Sequence, residues 1–183
     1  MSGDLKIRCS WMTIRNICFF SILIVVVACK YSTEKGTAGL KPGSDDMAEL
    51  NRYLIQKDKE RIQNYIARKN LNMTESPTGL WYQIIKPGEG VRLTDSDKII
   101  MEYDCSLLDG TKCYSSENQG PRELILGRSN MEPGLNEGLR LLKPGAEAVF
   151  ILPPYMAYGL TGDGKKIPSR AVIVYYITIL QPQ

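Results

Sequence analysis

Residues 132–159, EPGLNEGLRLLKPGAEAVFILPPYMAYG, predict a short helix, a strand and a broken loop in direct succession. Pro133 suits a first helical turn, because proline lacks the N–H that this turn leaves unbonded, and Pro144-Gly145 ends the helical pattern. The apolar run EAVFIL indicates a strand. The closing PPYMAYG carries two tyrosines and no charge, yet its prolines exclude a regular strand. We therefore expect a loop that presents aromatic rings at a strand end.

Strand signals surround this stretch on both sides. The segment KIIMEYDCSLLDGTKCYSS at 98–116 indicates a hairpin, because Asp109-Gly110 between alternating apolar residues is a strong two-residue turn signal. The sequence thus predicts an α+β fold in which roughly 100 residues form an antiparallel sheet with one short helix that covers its apolar face. Further strand signals are LWYQIIKPGEGVRL at 80–93, RELILG at 122–127 and AVIVYYITIL at 171–180.

A helical pattern precedes the sheet. Asp46 and Glu49 form a start that is similar to a capping box, and we assign residues 46–75 to an N-terminal helical segment and residues 76–183 to the β domain. The helix either packs on its own domain or binds a partner. A second copy of the chain, which would give a homodimer, is one such partner. The apolar positions of the helix recur at helical spacing: Met47, Leu50, Leu54, Ile62 and Ile66.

The first 28 residues indicate an export signal. An apolar run from residue 17 to residue 28 is about 12 residues long, whereas a bilayer span needs about 20. The run ends in VVVAC, in which a small residue stands directly before a cysteine. This resembles the lipobox of bacterial lipoproteins, and the resemblance implies that Cys29 carries the lipid. An ordinary signal peptide with an incidental cysteine and an uncleaved anchor remain open, as does Met12 as the true start.

Residues 29–45 form a predicted tether. They are rich in Gly, Ser, Thr, Lys and Asp and contain too few large apolar side chains to fold. Lys30 stands where lipoproteins of the inner membrane commonly carry an aspartate. We therefore expect a protein that is held to the membrane through Cys29 in the bacterial cell envelope, at the outer membrane facing the periplasm.

Composition excludes several classes of chemistry. The sequence contains no histidine, which removes the usual general base near neutral pH, the Ser-His and Cys-His pairs and most catalytic zinc sites. Most of the formal net charge of +3 lies in the first 28 residues, so the remaining chain is nearly neutral. We expect no metal, no cofactor and no nucleic-acid partner.

Four motifs together resemble one family, the FKBP-type peptidyl-prolyl isomerases. They are LLDGTKCYSS, LILG, the segment from GLNEG to PYMAYG, and IPSRAVIVYYITIL, in the family's order over about residues 80 to 181. The lipobox, the charged helix and Tyr114 are most similar to the gliding-motility-associated lipoprotein isomerases of the Bacteroidetes. The resemblance implies a strongly twisted antiparallel sheet wrapped on the short helix, here preceded by an amphipathic helix. It also implies an enzyme that assists the folding of exported proteins by isomerising their Xaa-Pro bonds.

The resemblance also implies the residues of the site. Tyr158 would donate its hydroxyl to the carbonyl of a bound proline segment, and Tyr103 and Tyr175 would complete the catalytic pocket; alternatively, these tyrosines are ordinary core aromatics. The backbone N–H of Glu132 matches a ligand-binding donor. Arg122 stands at an aromatic rim position. The implied substrate-binding residues are Cys113, Tyr114, Met131, Glu132, Leu135 and Ile167.

Departures from the family pattern leave a second function open. Cys113 and Tyr114 stand where common members have phenylalanine and aspartate, and Leu135 replaces the tryptophan of the pocket floor. A proline-peptide-binding module with little turnover is the alternative. A two-residue turn would also point Cys105 and Cys113 to opposite faces of the hairpin, so we expect no disulfide between them. A bulge in the hairpin would change this orientation.

Overall fold

The structure is a computed structural model that describes residues 43–181. Its strands are β1 (Thr74–Glu75), β2 (Trp81–Lys86), β3 (Lys98–Leu107), β4 (Lys112–Ser115), β5 (Arg122–Ile125), β6 (Glu147–Leu152) and β7 (Ile173–Ile179). Its helices are α1 (Ser44–Lys69), α2 (Ser116–Gln119) and α3 (Pro133–Leu139), and a 3-10 turn covers Pro154–Met156.

All seven strands belong to one antiparallel sheet. Its order is β1-β2-β6-β7-β3-β4, and β5 pairs with β3 outside this path. The short helix α3 begins at Pro133 with Glu132 as its N-cap, and its buried residues belong to the main core on one face of the sheet. The predicted α+β fold is confirmed.

Two glycines let α3 lie close to the sheet. A Cβ atom on Gly138 would lie 2.6 Å from the ring of Phe150 in β6, and one on Gly134 would lie 2.7 Å from Leu152. Both distances are shorter than real Cβ contacts, so the helix needs a residue without a side chain at these positions. This close approach fixes the position of Glu132, which enters the site from the N-terminus of α3.

Helix α1 packs on the opposite face of the sheet through its second half. Ile62 and Tyr65 are buried in a second core cluster with residues of β6 and β7. Asp58 is also buried, and its carboxylate accepts a hydrogen bond from Arg170 at 2.7 Å. The interpretation that the helix packs on its own domain is therefore confirmed for residues 58–69.

The first half of α1 is largely exposed. Met47 is 51 % exposed and Leu50 49 % exposed, so their apolar surface lies in solvent in this chain. Within residues 43–181, no helix combines the length and the apolar content that a membrane crossing requires.

The β3–β4 hairpin differs from its predicted turn. The N–H of Leu107 donates to the carbonyl of Thr111, so residues 108–110 form a three-residue turn in which Gly110 has φ +92°. A bulge then places Cys113 in the same core as Cys105. The prediction that these two cysteines point to opposite faces is therefore wrong, because the bulge adds one residue and reverses the side-chain alternation. Both are free thiols in the structure.

Candidate active site

The three predicted catalytic tyrosines lie around one cavity of about 240 Å³. Tyr103 comes from β3, Tyr175 from β7, and Tyr158 from the loop after the 3-10 turn. The ring centroids of Tyr103 and Tyr175 are 6.3 Å apart with the rings tilted by 58°. The complete lining is Tyr103, Tyr114, Gln119, Arg122, Tyr158 and Tyr175.

A second cavity of about 460 Å³ adjoins the first. Arg122 and Tyr158 line both, so these two side chains stand between them. Met131, one of the implied substrate-binding residues, lines only the larger one. An extended peptide with a proline at its centre therefore has room on both sides of Tyr158.

The side chain of Glu132 is the main feature that sequence reasoning missed. Only its backbone N–H was expected to matter, yet its carboxylate is buried at 5 % residue exposure. The Tyr158 hydroxyl donates to Oε1, and the Tyr175 hydroxyl donates to the same atom at 2.7 Å. Arg122 Nη1 lies 3.4 Å from Oε2. The predicted catalytic pocket thus has at its side a buried carboxylate that is held by two phenols and a guanidinium.

These contacts keep Glu132 ionised. Burial alone would raise its pKa, but the hydrogen bonds from Tyr158 and Tyr175 and the charge of Arg122 outweigh burial and place the pKa below its ordinary value. Burial, together with the neighbouring carboxylate, raises the pKa of both tyrosine hydroxyls. Near neutral pH this group of residues therefore holds one negative charge, one positive charge and two protonated phenols.

Acid should destabilise the protein through Glu132. Because its pKa is lowered in the folded state, the stability that it contributes is complete above its ordinary pKa of 4.5 and is lost as pH falls through the lower folded value. We expect Glu132→Gln to reduce the acid-induced loss of unfolding free energy between pH 5 and pH 2.5, measured by denaturant titration. Glu123→Gln, at an exposed ion pair with Lys98, is the control. Identical pH slopes in wild type and Glu132→Gln would contradict this assignment.

Tyr114 lies on the other side of the cavity and joins strand β4 to the loop that precedes β7. Its hydroxyl donates to the carboxylate of Asp163, whose Oδ1 accepts the N–H groups of Lys165 and Ile167 at 2.8 Å each. The hydrogen bond to Asp163 and then burial raise the pKa of Tyr114 to about 12. Asp163 therefore places a carboxylate beside Tyr114 at the edge of the cavity.

The other predicted binding residues lie beneath the cavity. Cys113, Leu135 and Ile167 are buried in the main core, and Leu135 is fully inaccessible. The Sγ atom of Cys113 lies 3.8 Å from the carbonyl oxygen of Thr111 and 3.7 Å from that of Lys166. These residues support the walls of the site, and their contact with substrate stays a prediction.

Each tyrosine hydroxyl that lines the smaller cavity already donates to a side chain of the protein. Tyr103 donates to Gln119 at 2.8 Å, Tyr114 to Asp163, and Tyr158 and Tyr175 to Glu132. Sequence reasoning did not find Gln119 or Asp163, because no spacing in the sequence links them to their tyrosines. The loop tyrosine Tyr155 is exposed and donates to the carbonyl of Thr78 at 3.3 Å, outside the site.

The fold and the tyrosine-lined cavity define an FKBP-like domain. The crystal structure of FkpA from Escherichia coli is similar with a TM-score of 0.61 at 23 % sequence identity, and the match covers 95 % of this chain and 73 % of that one. The N-terminal domain of FKBP42 from Arabidopsis thaliana matches with a TM-score of 0.56 at 24 % identity, over 60 % of this chain and 91 % of that one. At these identities the likenesses show a shared fold.

Sequence comparison gives the family. Residues 90–180 match the model of the FKBP-type peptidyl-prolyl cis-trans isomerases, and the chain belongs to this family, as the motifs predict. A probable FkpA isomerase of Neisseria meningitidis serogroup B is 37 % identical over 127 residues, which are 69 % of this chain and 45 % of the relative. FkpA of Escherichia coli is 32 % identical over 124 residues, 68 % of this chain and 44 % of the relative. The chain thus matches less than half the length of these curated relatives.

Proposed function

We propose that this chain isomerises Xaa-Pro peptide bonds in exported proteins. The observation that carries the proposal is the meeting of Tyr103, Tyr158 and Tyr175 around one cavity, within a domain of the isomerase family. Rotation about a peptide bond costs about 18–20 kcal/mol, because resonance is lost in the twisted state. No proton has to move and no bond has to break, which suits a site without histidine.

The walls of the cavity would favour the twisted state by removing water. The twisted amide has a smaller dipole than the planar one, so a pocket that strips water from the carbonyl lowers the barrier. In this proposal the rings of Tyr103 and Tyr175 hold the proline ring, and the buried residues Cys113, Leu135 and Ile167 keep water from the pocket floor. Met131 and Tyr114 border the bound chain on either side.

A refolding assay tests this function. The full-length protein, purified in detergent, is added to an unfolded protein whose slow refolding phase is a prolyl isomerisation. We expect the rate of that phase to rise in proportion to the amount of added protein. The rate should stay nearly flat from pH 6 to 8.5, because no group of the site titrates there. A steep bell-shaped pH profile would contradict a mechanism without proton transfer.

A proline-peptide-binding module is the alternative function. One observation favours it: the Tyr158 hydroxyl, which would donate to the substrate carbonyl, is engaged by the Glu132 carboxylate. Binding of proline peptides without any acceleration of the refolding phase would decide for this alternative.

We also propose that the chain is a lipid-anchored envelope protein of the gliding-motility-associated type. The proposal rests on VVVAC, which lies outside the described residues, and on Tyr114. According to this proposal, residues 1–28 are a lipoprotein signal peptide and residues 29–45 are a tether. Cys29 carries the lipid and holds the protein at the outer membrane, facing the periplasm. The folded part comprises the helical segment 46–75 and the isomerase domain 76–183.

Lipidation at Cys29 makes a direct prediction. We expect radiolabelled fatty acid to be incorporated into the wild-type protein and lost in Cys29→Ser, because the thiol is the site of attachment. Cys18→Ser, a cysteine within the apolar run, is the matched control and should keep the label. Incorporation that persists in Cys29→Ser would show that the lipobox interpretation is wrong.

The first half of α1 is proposed to join two copies of the chain. Met47 and Leu50 are exposed on the first half of the helix, and such a face can pair with itself about a two-fold axis. We expect a dimer by analytical ultracentrifugation and a monomer for Met47→Glu/Leu50→Glu, with the isomerase domain still folded. Gln56→Glu, also exposed on this half of the helix, is the control. A wild-type monomer at tens of micromolar would contradict the proposal.

A further inference from the structure

The tyrosine hydroxyls of the site are already engaged. Tyr158 and Tyr175 donate to Glu132, an ionised acceptor. A hydrogen bond to a charged group is about twice as strong as one to a neutral carbonyl. A substrate carbonyl therefore competes poorly for the Tyr158 hydroxyl, and another donor has to meet the substrate.

Arg122 is the donor that remains available. Its guanidinium has five N–H groups, but its two contacts are at the limit of hydrogen-bond length: 3.4 Å to Glu132 and 3.5 Å to the carbonyl of Asn130. Its side chain is 29 % exposed, whereas that of Glu132 is 3 % exposed. Arg122 also lines both cavities. A ligand entering from solvent thus meets the cation before the carboxylate.

Asp163 and Lys166 are a second pair of charges near the site, and the surroundings of the two side chains are similar to those of Glu132 and Arg122. The Asp163 carboxylate is occupied by the Tyr114 hydroxyl and two backbone N–H groups. Exposed Lys166 has its Nζ 5.4 Å from the centroid of the Tyr114 ring and forms no ion pair within the described part of the chain. In both pairs the anion accepts a hydrogen bond from a tyrosine of the smaller cavity, and the cation is the more exposed partner.

We propose that this pocket selects prolyl segments that carry an acidic side chain next to the proline, and that Arg122 is the residue that determines this selectivity. The inference rests on the proposed function, because it names the substrate class of the same site. An acidic side chain would accept hydrogen bonds from the under-used guanidinium. A basic side chain would face Arg122 and Lys166 with no free carboxylate.

The test compares acetyl-Ala-Xaa-Pro-Phe-amide peptides with Glu, Gln or Lys at Xaa. The full-length protein is used in detergent, and kcat/KM is measured by exchange between the cis and trans forms at equilibrium. Because Glu and Gln share a shape, their ratio isolates the charge. We expect the Glu peptide to exceed the Gln peptide about tenfold, as for one partly exposed charge-assisted hydrogen bond, and the Lys peptide to fall below Gln.

Variants assign the effect to one residue. Arg122→Gln should reduce the Glu-to-Gln ratio to one or below, because Glu132 then has no cation beside it. Arg122→Lys, which keeps the charge, should retain part of the ratio. Arg92→Gln removes an exposed arginine that lines neither cavity and should leave the ratio unchanged. Salt should weaken the preference in the wild type.

Three outcomes overturn the inference: a wild-type Glu-to-Gln ratio of one or less, a Lys peptide preferred over Gln, or a preference for Glu that survives Arg122→Gln. If none of the peptides is accelerated, the proposed function fails instead. The dissociation constants of the same peptides then test the inference separately, with the Glu peptide expected to bind about tenfold more tightly than Gln in the wild type and equally in Arg122→Gln.

Discussion

Replacing Glu132 with leucine is expected to lower the free energy of unfolding by about 2–4 kcal/mol. Leucine has a similar size, but it leaves the Tyr175 hydroxyl, at 1 % residue exposure, without an acceptor. The Tyr158 hydroxyl loses the same acceptor, and Arg122 loses its ion pair. Unfolding of the purified protein in guanidinium chloride at pH 7 measures the change.

A double-mutant cycle separates the lost hydrogen bond from the lost packing. Tyr175→Phe removes the hydroxyl and should recover about 1–2 kcal/mol when it is added to Glu132→Leu, because the unpaired donor disappears. Alone, in the presence of Glu132, the same change should be destabilising. If the losses of unfolding free energy in the two single variants simply add in the double variant, the two side chains do not interact in the folded protein.

The second large effect is expected at Gly138. Alanine would gain up to about 1 kcal/mol of helix propensity over glycine, but its Cβ would lie 2.6 Å from Cε2 and 2.8 Å from Cζ of Phe150. Overpacking of a core costs about 1–3 kcal/mol. We therefore expect a small net loss of stability for Gly138→Ala and a loss of about 3 kcal/mol for the branched Gly138→Val, measured by thermal and denaturant unfolding.

The control for this prediction removes the two Phe150 ring atoms that a Cβ atom at residue 138 would approach. Phe150→Leu lacks the Cε2 and Cζ atoms, so it should be destabilising alone and should reduce the cost of Gly138→Val in the double variant. Since α3 carries Glu132 at its N-terminus, Gly138→Val should also lower the isomerase rate. A stable, fully active Gly138→Val protein would contradict the close approach of helix and sheet.

The fold could be predicted because its signals are local. Asp109-Gly110 marks the hairpin, and Pro133 with Pro144-Gly145 bounds the short helix within a few residues of its position. The turn length could not be predicted as well. One bulged residue at Cys113 moved a side chain into the core, and such an insertion depends on how the neighbouring strands pack.

The buried carboxylate could not be predicted, because its partners are distant in sequence. Tyr158 and Tyr175 follow Glu132 by 26 and 43 residues, and glutamate next to proline resembles an ordinary exposed helix start. The resemblance to the family brought the three tyrosines together but assigned only the backbone of Glu132.

Helix α1 also shows that local sequence patterns do not predict tertiary contacts. Ile62 and Met47 follow one helical spacing, yet the first is buried against the sheet and the second is exposed. Spacing predicts which face of a helix is apolar, whereas the partner that covers the face is set by tertiary packing.

The most direct test of catalysis by this pocket is the rate of cis-trans exchange of a proline peptide at equilibrium. Nuclear magnetic resonance exchange spectroscopy measures this rate on acetyl-Ala-Glu-Pro-Phe-amide, with and without catalytic amounts of the purified protein. We expect exchange far faster than the uncatalysed process, which takes about tens to hundreds of seconds. The rate should be lower for Tyr175→Asp, which places a charge in the cavity. Resonances of the peptide that broaden on binding while the exchange rate stays at its uncatalysed value would contradict catalysis by this pocket.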